Sequence, residues 1–134
     1  MKKILLSVLV VAAIASCKKE TYTKTNSYVN LVYEIDNTED SLHIVFRRAV
    51  YNDSVAGNID FDTLITTDGT HYIPVQVLIG EPVMLYGLSN LGPGFHLRIK
   101  GEDGTVIRET DTVTYYPANL LARDRWVSKL EMIP

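Results

Sequence analysis

The chain has 134 residues, 46% of them hydrophobic and 22% charged, and a formal net charge of −3. That length holds one ordinary domain, the composition is that of a folded protein, and the lack of a basic balance argues against a nucleic-acid partner. Twelve threonines and fourteen valines, with no helix-length amphipathic pattern, lean the chain toward strands.

Residues 1–16 read as a secretory signal. "MKK" supplies a positive start, "ILLSVLVVAAI" an apolar segment shorter than the roughly 20 residues a membrane-spanning helix needs, and "AS" the small residues before a cut. Removing this segment takes away two lysines and leaves eleven basic residues against sixteen acidic ones.

The residues Ile14-Ala15-Ser16-Cys17 resemble the lipobox of bacterial lipoproteins. The resemblance implies a diacylglycerol thioether on Cys17, cleavage before it, and N-acylation. Each buried methylene contributes about 0.8 kcal/mol, so two or three acyl chains anchor a protein stably where one does not. Lys18 follows, and in the sorting rule of such lipoproteins a lysine there implies the outer membrane. "CKKE" and the polar tether after it also resemble small lipoproteins of Bacteroidota-type bacteria. The tether closes a segment 17–27, and residues 28–134 form the domain.

In the domain the apolar period is two. Val29, Leu31, Tyr33 and Ile35 share one face, "NTED" offers turn chemistry, and Leu42, Ile44 and Phe46 repeat the alternation, which predicts an antiparallel hairpin of these two runs. "NDSVAGN" breaks the chain before "IDFDTLI", where Ile59, Phe61, Thr63 and Ile65 align. "TTDGT" predicts a tight turn with Gly69 at positive φ. Ile73, Val75, Val77 and Ile79 follow on one face. Pro74 among them cannot donate to a ladder, so that strand belongs at an edge or at the start of pairing. "VMLYGL", "FHLRIK" and "TVIRET" are further strands, and "GEDG" turns the last two into a hairpin with Gly104 left-handed. "PANLLARD" suggests a helical turn, and "RWVSKLEMI" closes the chain by alternating Trp126, Ser128, Leu130 and Met132 against their neighbours. Some seven to eight short strands separated by turns predict an all-β, antiparallel, immunoglobulin-like β-sandwich.

Residues able to do chemistry are few. "GLSNLG" places Leu91 where a nucleophile elbow needs glycine, so Ser89 reads as a turn residue. Asn58, Asp60 and Asp62 alternate on one strand face but lack the glycine and glutamate of a calcium loop. His43, His71 and His96 sit on separate strands without ligand spacing. No catalytic residue, metal or cofactor is expected. A candidate anion or partner patch comprises His96, Arg98, Lys100 and Arg108: pairing Ile99 with Ile107 sets Arg98 against Arg108, and like charges directly opposed cost stability. The alternatives are a register shifted by one residue, or Glu102, Glu109 or Glu131 neutralising the cluster.

The triplets Asp40-Ser41-Leu42, Asp53-Ser54-Val55, Asp62-Thr63-Leu64 and Asp111-Thr112-Val113 resemble the acceptor of the general O-glycosylation system of Bacteroidota-type bacteria, with Ser54 and Thr112 the candidates near loops. The expectation is a non-enzymatic, lipid-anchored binding or envelope-accessory module whose partners are the membrane and an envelope protein or glycan. A structural surface coat or spacer is the alternative, and a small hydrolase a weaker one.

Overall fold

Apolar residues at every second position commit each strand to one inward face, and the domain consists of two such strand sets laid face to face. The computed structural model describes residues 27–52, 55–110, 112–118 and 125–134. Among the described residues nine strands run in chain order: β1 (Tyr28–Asn37), β2 (Leu42–Asn52), β3 (Val55–Ile65), β4 (Gly69–Leu78), β5 (Val83–Ser89), β6 (Phe95–Gly101), β7 (Val106–Glu109), β8 (Thr114–Tyr116) and β9 (Arg125–Met132). One sheet has the order β4-β1-β6-β7 and the other β3-β2-β5-β9-β8, with every neighbouring pair antiparallel.

The all-β antiparallel sandwich matches the sequence reading, with nine strands in place of seven or eight. The expected pairing of β1 with β2 does not occur. β1 pairs with β4 and β6, β2 pairs with β3 and β5, and the turn between them carries the chain from one sheet to the other. Both strands bury one alternating face, so a cross-sheet turn satisfies the pattern as well as a hairpin does. The neighbours β4-β1 and β3-β2-β5-β9 reproduce the E-B and C′-C-F-G orders of an immunoglobulin sandwich, while the β6–β7 hairpin fills the lane of its first strand.

Leu31, Tyr33, Ile35, Val75, Val77, Leu97 and Ile99 from one sheet meet Leu42, Ile44, Phe46, Val83, Leu85 and Leu130 from the other. Across the layers the Tyr33 and Phe46 rings meet edge-on with centroids 5.9 Å apart, and Phe46 stacks on Phe61 at 6.0 Å. Pro74 lies on β4, an edge strand as its missing N–H requires. Gly69 and Gly104 take positive φ in their turns. "PANLLARD" is described only at Pro117 and Ala118, so the helical-turn expectation falls mostly outside the described residues.

The two poles of the sandwich are tied differently. At one, the Ile79 N–H donates to the Ser27 carbonyl and the Gly80 N–H to the Pro134 carbonyl, which gathers both ends of the domain around the β4–β5 turn. At the other, Thr38 and Glu39 hold Gly94: the Thr38 N–H donates to its carbonyl at 2.7 Å, and its own N–H donates to Glu39 Oε1 at 2.7 Å. Buried Asn37 adds bonds from its amide to the carbonyls of Glu39 and Thr67.

Candidate functional site

The outer face of the four-stranded sheet carries a charge ladder. β1 sets Glu34 opposite Arg98 and Asp36 opposite His96. Arg98 Nη1 donates to Glu34 Oε1 and Asp36 Oδ2, both at 2.6 Å, and its Nε donates to Glu109 Oε2 at 3.3 Å. Lys100 Nζ donates to Glu34 Oε2, and the Thr70 hydroxyl donates to Asp36 at 2.8 Å. The long cationic side chains lie over Glu34 and leave it only 4% exposed. Burial pushes the Glu34 carboxyl up, but the hydrogen bonds from Lys100 and Arg98 outweigh it and hold the group below its usual range. Asp36 behaves alike, with bonds from Thr70 and Arg98 overcoming its burial. Arg98 is raised in turn, chiefly by its bond to Asp36.

This geometry corrects the sequence-derived register. Arg98 faces Glu109 rather than Arg108, because the β6–β7 ladder shifts between Ile99 and Lys100: Ile99 pairs with Arg108 and Lys100 with Val106. Ile107 is the extra residue of the irregularity. The four basic residues named from the sequence therefore divide. Arg98 and Lys100 are committed to carboxylates, and His96 Nε2 lies 4.0 Å from Glu109 while its Nδ1 is buried without a hydrogen-bond partner among the described residues. Arg108 has no carboxylate partner among the described residues and lies apart, on the seam between the sheets.

The other candidates resolve as structural groups. Ser89 Oγ accepts from the N–H groups of Leu91 and Gly92, so it caps the turn after β5. Asp60 accepts from Arg47 Nε at 2.5 Å, Asp62 lies 3.3 Å from His43, and Asn58 Oδ1 accepts from the Leu78 N–H. His71 Nε2 lies 2.9 Å from the Thr67 carbonyl. Among the described residues no three acidic, histidine or cysteine side chains gather as metal ligands. Cys17 and Ser54 lie outside the described residues, and Thr112 is exposed.

The concavity that residue patterns did not announce lies where the two sheets meet at the β7–β9 side. It is a cleft of about 640 Å³ whose wall runs through Arg108, Glu109 and Thr110, then Thr112, Thr114 and Tyr116, and then every residue from Val127 to Glu131. It exists because β8 is short. β8 pairs with β9 only over Arg125–Val127, whereas β5 pairs with it through Met132. On the cleft side no described strand pairs with Ser128–Met132. Buried hydroxyls form its floor: Ser128 Oγ lies 2.9 Å from Thr110 Oγ1 and 3.2 Å from the Thr112 carbonyl. Tyr86, opposite Lys129 on the outer face of its sheet, closes the far side.

The fold and the cleft define an all-β sandwich domain with a polar groove along one open strand edge. No known protein family, curated protein or solved structure matches the chain.

Proposed function

We propose that the protein is a non-enzymatic binding module of the bacterial cell envelope, held to the outer membrane by lipid on Cys17. The observation that carries this reading is Ile14-Ala15-Ser16-Cys17 directly behind a charged start and a short apolar run. The domain geometry is compatible with it. Ser27, where the tether joins, sits beside Ile79, and the same pole presents Ile79 and Ile133 as exposed apolar side chains. The β7–β9 cleft lies on the flank of the sandwich, so an anchored domain keeps it open to a partner.

Expression of the full chain in a bacterial host, with membrane fractionation and intact mass, tests the anchor. The expected product begins at Cys17 and carries the mass of diacylglycerol plus an acyl chain, and Cys17→Ser moves the protein out of the membrane fraction. A wild-type protein recovered without added lipid mass overturns the reading.

A further inference from the structure

We propose that the cleft beside β9 is a strand-addition site that takes an extended segment of another polypeptide carrying an aspartate or glutamate. The pattern of the lining points to a strand edge. Side chains alternate across a strand, so a pocket on one face is lined by every second residue. This cleft is lined by five consecutive residues, Val127 to Glu131, which means that it follows the edge of the strand.

That edge is open where it matters. Ser128–Met132 have no described strand beside them on the cleft side, and five residues of strand span about 17 Å. The lane is the continuation of β8, bounded above by Thr112 and Thr114 and flanked on the seam side by β7. Unpaired edges are usually blunted, and β4 has Pro74 for that purpose. The open part of β9 has no proline, no bulge and no covering strand among the described residues.

The charges along the cleft favour an acidic occupant. Arg108 pairs in register with Ile99, whose side chain is fully buried, so Arg108 leaves β7 on the side facing the second sheet. Its neighbours in the cleft are already committed: Glu109 to Arg98, and Glu131 to Lys129 at 2.8 Å. Arg108 is thus a guanidinium with no carboxylate of its own among the described residues, placed beside a lane that no described strand occupies. A strand lying against Ser128 and Leu130 turns alternate side chains toward it, and a carboxylate there is met by a planar two-pronged donor. The hydroxyls and Tyr86 and Tyr116 could also meet a sugar, but a saccharide leaves the row of β9 backbone groups unused.

This inference rests on the reading of the domain as a binding module and is independent of the anchor, which the Cys17 mass measurement tests alone. The experiment is a selection from a random eight-residue peptide display library against the full-length protein in phosphatidylcholine nanodiscs, with empty discs as the counter-selection. Enriched peptides are expected to share one aspartate or glutamate. N-methylation of the alternate backbone amides that face β9 should weaken them by about tenfold or more, and binding should slow hydrogen exchange at those amides of 128–132 that do not point toward β5. Arg108→Glu should weaken the acidic peptides by about tenfold, and a repeated selection on that variant should return lysine or arginine instead. Arg108→Gln, which keeps polarity, serves if the reversal disturbs folding. Absence of enrichment over empty discs, peptides indifferent to backbone methylation or to Arg108, or displacement of Arg108-dependent binding only by an acidic oligosaccharide such as oligogalacturonate would each overturn the proposal.

Discussion

The Tyr33 hydroxyl on β1 donates to the Arg47 carbonyl on β2 at 2.6 Å, a hydrogen bond that crosses from one sheet to the other through the core. It gives the sandwich a directional link through its apolar core, in addition to the bond from the Leu78 N–H on β4 to Asn58 on β3. Tyr33 is fully buried, and burial pushes its phenol well above the ordinary value of 10.0. Tyr33→Phe should lower stability by about 1 kcal/mol in denaturant titration, the net contribution of one such bond. With the folded value raised, the native state retains this proton above pH 10 and the unfolded chain does not. Wild type should therefore lose stability as pH rises past 10, and Tyr33→Phe should lose less.

The Glu34 and Asp36 carboxylates give the opposite dependence at low pH. Both are held below their ordinary values of 4.5 and 3.8, so the unfolded chain takes up protons before the native one does. Stability from the ladder is complete above about pH 5 and declines as the solution is acidified through and below those values. Glu34→Gln should flatten the acid limb of a stability-against-pH profile. An unchanged acid limb would remove Glu34 from the account.

Removing the cation is a harsher test than removing the charge it holds. Arg98→Met leaves buried Glu34 with Lys100 alone and frees Asp36 and Glu109 of their shared partner. Breaking a fully buried pair costs about 3–5 kcal/mol, and since Arg98 is itself a quarter exposed, about 2 kcal/mol is expected here. The loss should shrink when Arg98→Met is combined with Glu34→Leu, because no stranded carboxylate then remains beneath the ladder. Chemical denaturation of the two single variants and the double variant reads this coupling directly.

Gly87 on β5 is required by space rather than by backbone conformation. A Cβ built there would lie 2.7 Å from the Phe95 ring, which packs across from β6. Gly87→Ala must therefore displace a core aromatic or push the sheets apart, at a cost of about 1–3 kcal/mol. Gly57, which has nothing within 4 Å of such an atom, is the internal control. Gly57→Ala should leave the thermal midpoint nearly unchanged.

Strand positions were largely legible in the sequence, because burying one face enforces a two-residue period that Leu31, Tyr33, Ile35 and Leu42, Ile44, Phe46 display plainly. Their partners were not legible. The same period serves a hairpin and a cross-sheet turn, so β1 and β2 looked adjacent although they lie in different layers. The β6–β7 register failed for a related reason: Val106 and Ile107 are consecutive, both exposed, and neither face of β7 is buried, so burial gave nothing to pin the alignment. The alternation that turns Tyr33 and Ile35 inward turns Glu34 outward, yet only the pairing of β1 with β6 reveals that Arg98 and Lys100 cover it. The cleft depends on the mismatch between a three-residue β8 and an eight-residue β9. The run of strand-forming residues in "RWVSKLEMI" does suggest the longer member of that pair.

The placement of Ser27 has a mechanical side. Residues upstream of it connect to the start of β1, which is bonded along its length to β4 and from Leu31 onward to β6. If the protein is tethered there, a pull on the domain is directed along β1 and loads those two ladders in shear, many hydrogen bonds at once. A tether joined at an edge strand and pulled sideways would peel its bonds one by one. Under such a tether, drag on the domain would load the most heavily braced strand of the four-stranded sheet first.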